Sequence, residues 1–114
     1  MKDWLYMLKP GFYDSGKGPY FCPGCARVEG MLSFYPDLRN KLEIHYIDFP
    51  RPRPVVVDEL GSENQGCPKL ILGDAARPVP PGIPVQEAKG RRFISQDLEI
   101  CRYLGWAFGY GEPH

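Results

Sequence analysis

The sequence predicts one α/β domain: a βαβ unit followed by a β-hairpin and a C-terminal helix, with a four-stranded mixed sheet flanked by helices. Three observations predict it. Two short β-prone runs, Trp4 to Leu8 and Leu42 to Ile47, enclose a segment whose apolar residues recur at helical spacing. A second helical pattern, Leu98 to Phe108, closes the chain behind a proline-rich excursion. At 114 residues, one hydrophobic core is the natural size, so a single domain over residues 1–114 is expected.

The first strand, Trp4 to Leu8, ends at Lys9-Pro10-Gly11, and a loop runs on to Phe21. Helix one is expected from Pro23 to Tyr35, because Val28, Met31, Leu32 and Tyr35 repeat on one face and Pro36 stops the pattern. Strand two, Leu42 to Ile47, ends at Asp48-Phe49-Pro50. A strand, a helix of about twelve residues and a second strand take a right-handed crossover in nearly all cases. Val55 to Leu60 reads as a short second helix with Pro54 in its first turn and Gly61 after its end. Strand three spans Lys69 to Leu72, and strand four lies between Val85 and Ile94, since Pro78, Pro80, Pro81 and Pro84 cannot sit mid-sheet. Ser95 is the expected N-cap of the last helix, whose apolar face carries Leu98, Cys101, Leu104 and Phe108, and Gly109 is its stop.

Lys plus Arg number 14 and Asp plus Glu number 14, so no net basic field exists to hold nucleic acid or an anionic membrane. The N-terminal run MKDWLYMLKPGF lacks the apolar core and cleavage site of a secretion signal, and no segment reaches the roughly 20 apolar residues of a membrane span. A cytoplasmic protein is expected. Four cysteines are too few for a disulfide scaffold, and in a reducing compartment a close pair indicates redox chemistry or metal.

The close pair is Cys22-Pro23-Gly24-Cys25. With helix one starting at Pro23, Cys22 is its N-cap, Pro23 fills the first helical position where a missing N–H is harmless, and Cys25 sits one turn in. Free backbone N–H groups and the positive end of the helix dipole favour a thiolate at such a position. For a thiol moved down by two pKa units, the thiolate fraction at pH 7 rises about 25-fold while intrinsic nucleophilicity falls about 8-fold, a net gain of about 3-fold. The arrangement therefore acts mainly on the leaving group and the redox poise. Cys22 is expected to attack and Cys25 to resolve a mixed disulfide. Three readings of the pair stand side by side: thiol chemistry, metal binding and a structural pair without activity.

The order strand, CPGC, helix, strand, helix, then Cys67-Pro68-Lys69-Leu70 opening a strand resembles the thioredoxin superfamily. The resemblance implies a cis Pro68 facing Pro23 and Gly24, with Cys67 lining the site. The run from Ile94 to Leu104 resembles the last helix of glutaredoxins and of glutathione transferase N-terminal domains, in which Ser95 matches a serine that contacts glutathione. Glutathione is thus implied as a candidate co-substrate, with no resident cofactor, and the implied partners are thiols or disulfides, of protein or of glutathione. Ile94 stands where those families carry an acidic or amide residue, and a cysteine before the cis-proline is unusual for them. The whole chain also resembles a bacterial thioredoxin-like family of unassigned function.

An alternative is a non-enzymatic member of the fold that holds zinc or an iron–sulfur centre through Cys22, Cys25 and Cys67, completed by His45, His114, Cys101 or a second subunit. Cys101 shares an apolar stripe and reads as core. The stretch GFYDSGKG, residues 11–18, nearly matches a phosphate-binding loop, but Gly18 replaces the hydroxyl residue and Pro19 follows, so a flexible loop beside the site is the better reading. Lys9 or Lys17 would support a thiolate or ligand carboxylate from there. Arg51 and Arg53 are either holders of a carboxylate or solvated charges. Tyr20 and Phe21 flank the motif as a shield or a substrate face.

Overall fold

The computed structural model describes residues 1–74 and 77–114. Seven strands and four helices are found among them: β1 (Asp3–Leu8), β2 (Phe12–Asp14), β3 (Lys17–Tyr20), α1 (Pro23–Phe34), α2 (Leu38–Lys41), β4 (Leu42–Ile47), α3 (Pro54–Leu60), β5 (Lys69–Ile71), β6 (Gln86–Ala88), β7 (Arg91–Ile94) and α4 (Asp97–Phe108). The main sheet is mixed and has five strands in the order β4-β1-β5-β7-β6. β1 pairs with β4 in parallel and with β5 antiparallel, and the β5–β7 and β6–β7 pairs are antiparallel.

Alternation along the strands divides the core between the two faces. Leu5, Met7, Leu70 and Ile94 pack with Val28 and Leu32 of α1 and with Ile100 and Leu104 of α4. Tyr6, Ile71 and Phe93 turn to the other face, against Val56 and Leu60 of α3. Full burial of each such aliphatic side chain contributes about 1.5–3 kcal/mol, so truncating Leu32 to alanine would cost about 2–5 kcal/mol. A partly buried ion pair stitches the layers. Asp3, 1% exposed, accepts from the Gly73 N–H at 2.8 Å and from Arg77 Nη1 at 2.7 Å, and the same nitrogen donates to the Tyr103 hydroxyl at 2.7 Å.

Four expectations need correction. The loop between β1 and α1 contains a hairpin: Asp14 pairs with Lys17, and the two turn residues Ser15 and Gly16 both take positive φ, 55° and 76°, the requirement of a type I′ turn. The single strand expected between Val85 and Ile94 is a second hairpin of the same kind, with Lys89 at φ 49° and Gly90 at φ 74°, which makes the sheet five-stranded. Ser95 does not cap α4; the N-cap is Gln96. The buried face of α4 is Ile100, Cys101, Tyr103 and Leu104, while Leu98, in the first turn of a helix that starts one residue later than a Ser95 cap implies, is exposed. Among the described residues, no helix is long and apolar enough to cross a membrane.

Candidate functional site

The site forms where α1 begins. Cys22 is its N-cap in extended conformation (φ −76°, ψ 117°), and its Sγ accepts the backbone N–H of Cys25 at 3.2 Å. Pro23 fills the first turn, which carries no acidic residue. The helix therefore presents its partial positive charge to the Cys22 sulfur without an acid of its own in that turn. Cys22 is half-buried, and its thiol also donates to the Cys67 carbonyl oxygen at 3.7 Å. The Cys67–Pro68 peptide bond is cis. Gly24 lies against Pro68: a Cβ on it would stand 3.1 Å from Pro68 Cδ and 3.2 Å from Asp97 Oδ2, so only glycine fits without displacing a neighbour. Pro23, Gly24, Cys67 and Pro68 are thus gathered around Cys22.

Cys25 is 6% exposed beneath Cys22, and the Leu8 N–H at the end of β1 donates to its Sγ at 3.4 Å. Burial pushes this thiol far above the ordinary range, and its hydrogen bond with Cys22 and the nearby charge of Cys22 push the same way. Burial likewise pushes Cys67 up to about 11, against a downward pull from Arg53, Lys69 and Arg51. All four cysteines are free thiols.

A cavity of about 340 Å³ opens beside the pair, lined by Pro10, Phe21, Cys22, Cys25, Glu29 and Tyr46. Its polar wall is one network. The Tyr46 hydroxyl donates to Glu29 Oε2 at 2.7 Å, and Arg39 donates to Glu29 Oε1 at 2.5 Å and to the Tyr46 oxygen at 3.3 Å. Burial raises the Glu29 carboxyl, but the hydrogen bonds from Arg39 and Tyr46 outweigh it and leave it below its usual range. The network escaped sequence reasoning, although Glu29 stands four residues after Cys25 and so on the same helix face. A larger cavity of about 580 Å³ between α1 and α4 reaches Cys101 and neither thiol of the pair.

Other candidates fall elsewhere. Ser95 accepts from Lys69 Nζ at 3.1 Å and donates to Gln86 Oε1 at 2.7 Å, which joins it to the Cys67 side rather than to a helix start. His45 stacks on Tyr6 at 5.1 Å, on the sheet face opposite Cys25. Its Nε2 lies 3.4 Å from Glu43 Oε1 without a hydrogen bond. His114 borders the larger cavity, and Cys101 is core. Among the described residues, no three His, Cys, Asp or Glu side chains are grouped to hold a metal ion. Lys9 pairs with Asp48 at 3.1 Å, and residues 11–18 form the first hairpin rather than a phosphate loop. Tyr20 and Phe21 are exposed beside Cys22.

A protein-family model described as Protein of unknown function (DUF3088) matches residues 2–112. The chain belongs to the DUF3088 family. No curated protein and no solved structure matches it. The DUF3088 match covers both cysteines of the pair, the Cys67–Pro68 segment and α4.

Proposed function

We propose that this DUF3088 chain is a thioredoxin-like thiol–disulfide oxidoreductase of thioredoxin or glutaredoxin type, acting through Cys22 and Cys25. One observation carries the reading: a half-buried sulfur caps a helix that has no acid in its first turn, directly above a second, buried thiol. The order β4-β1-β5-β7, with α1 crossing between the parallel strands and a cis Pro68 against Gly24, supports the superfamily assignment.

The Cys22 thiolate attacks one sulfur of a substrate disulfide; a protein–substrate S–S bond forms, and the other substrate sulfur leaves as thiolate and takes a proton. Cys25 then attacks Cys22 Sγ, releasing the second substrate thiol. The substrate gains two electrons and two protons, and the protein becomes the 22–25 disulfide. A thiol reductant, glutathione or a protein dithiol, returns it. Burial above all keeps Cys25 protonated, with the hydrogen bond and charge of Cys22 adding to it, and formation of the mixed disulfide removes the contribution of Cys22.

The test is a redox titration against glutathione with mass analysis. Reversible loss of two hydrogens' mass, mapped to Cys22 and Cys25, is expected, and a Cys25→Ser protein should accumulate a mixed disulfide on Cys22. Failure of the pair to oxidise, or faster alkylation of Cys25 than of Cys22 at limiting iodoacetamide, would overturn the assignment.

A further inference from the structure

Around Cys67 the chain holds positive charge that its own carboxylates leave unanswered. Lys69 is 5% exposed; its ammonium donates to Ser95 Oγ at 3.1 Å and lies 5.2 Å from the Phe93 ring centre. Arg53 is 6% exposed; Nε and Nη2 donate to the Phe49 carbonyl oxygen at 2.9 and 2.6 Å, and Nη1 to the Gln65 carbonyl oxygen at 2.6 Å. Neither reaches a carboxylate among the described residues, whereas buried charges in proteins are ordinarily paired. Both are tied to one segment. Arg53 grips Gln65 a second time, its backbone N–H donating to Gln65 Oε1 at 2.7 Å, and Gln65, Cys67 and Lys69 are alternate residues of the chain. Arg51, exposed and two residues before Arg53, makes no ion pair among the described residues and also acts on Cys67 and Lys69.

Acids elsewhere around the site are committed. Asp97 pairs with Arg27 at 3.3 Å, Asp48 with Lys9 at 3.1 Å and Glu29 with Arg39 at 2.5 Å. Cys67 does not supply the missing negative charge either, since burial keeps it a neutral thiol at physiological pH. The cis peptide segment that faces Cys22 therefore sits between two buried cations and beside an exposed one.

We infer that Arg51, Arg53 and Lys69 make the Cys67 side of the site an anion-selective subsite, so that Cys22 exchanges with disulfides bearing a carboxylate, sulfonate or phosphate near the sulfur in preference to neutral or cationic ones. Arg51 is the contact, and Arg53 and Lys69 supply a fixed field from behind it. Burial shields that field from water less effectively than it would be shielded at the surface, so it reaches an incoming ligand. The inference rests on the exchange chemistry proposed above.

The experiment compares three aliphatic disulfides that differ in charge: dithiodipropionate (anionic), hydroxyethyl disulfide (neutral) and cystamine (cationic). Each rate with the reduced protein is divided by the rate of free mercaptoethanol with the same disulfide. At low salt the normalised anionic-to-neutral ratio is expected to be about 10-fold and to collapse toward one at 0.5 M salt. Arg51→Glu should invert the order of anionic and cationic substrates, and Lys69→Met should lower the ratio. Equal normalised rates for all three, or an unchanged order in Arg51→Glu, would overturn the subsite while leaving the exchange reading intact. If no disulfide reacts, the exchange reading fails and the subsite is judged alone, by titrating propionate into the Cys22→Ser protein and following the amide resonances of Arg51, Cys67 and Lys69. Saturable shifts lost in high salt sustain it; no shifts refute it.

Discussion

The two long helices start close together and are prepared in opposite ways. α1 and α4 are each twelve residues long, and Asp97 at the start of α4 reaches Gly24 in the first turn of α1. α1 is capped by the Cys22 sulfur and has no acid in its first turn. α4 has no side-chain cap from Gln96 but carries Asp97 and Glu99 there, and Asp97 Oδ1 accepts the Leu98 N–H at 2.6 Å. One helix end thus carries acids of its own, and the other is capped by the Cys22 sulfur with the Asp97 carboxylate of its neighbour alongside. Similar helices become a structural strut and, in the function proposed above, a reactive centre through the choice of two or three residues at their starts.

The sharpest way to break this contrast is Cys22→Ser. The hydroxyl still caps α1, so thermal stability should be nearly unchanged, while disulfide exchange falls about 10³-fold or more. Paired melting curves and hydroxyethyl disulfide reduction check both halves. Gly24→Ala attacks the contact between the two helix starts: the added methyl meets Pro68 and Asp97 at 3.1–3.2 Å and should destabilise by about 1–3 kcal/mol in urea unfolding.

Raising the pH probes the buried thiols. Burial holds Cys67 and Cys101 at about 11, above their unfolded value, so the stability they contribute is complete below the ordinary thiol range and is lost as pH rises from 9 to 11. The melting temperature should fall across that window, and less steeply in Cys101→Ala. Asp97→Asn removes acid from α4 and should destabilise by about 0.3–1 kcal/mol. It should also speed alkylation of Cys22, since a carboxylate near Gly24 is gone; an unchanged alkylation rate would separate the two helix ends electrostatically. The smallest expected effect is a gain: Gln96→Ser supplies the missing cap and should stabilise by about 0.5 kcal/mol, read from the urea midpoint.

Most of the central fold was legible because its elements announce themselves. Pro23 and Pro36 bracket α1, Gly109 takes the left-handed conformation expected of a helix stop (φ 76°), and Leu42–Ile47 forms the strand its composition predicts. Both hairpins were missed for one reason. Their turns place Ser15 and Lys89 in left-handed conformations that asparagine, aspartate or glycine usually mark, so neither Ser-Gly nor Lys-Gly looked like a type I′ turn. Helix α2 is only four residues long, too short to show a period. At the site, the cysteine pair and the Cys67–Pro68 segment could be read from motif and spacing. The Glu29–Arg39–Tyr46 network could not, because it joins α1, α2 and β4, and only the folded chain brings them together. The same holds for Arg53 and Lys69: composition suggests solvated cations, whereas packing puts both below 10% exposure.

The Leu8 N–H, spent on the Cys25 sulfur at the close of β1, gives the backbone a direct view of the sulfur's electronic state. A new S–S bond would draw that sulfur toward Cys22 and loosen its grip on the amide. Nitrogen-15 chemical shift and deuterium uptake at this single position would then act as an internal gauge of oxidation, needing no dye, label or added substrate.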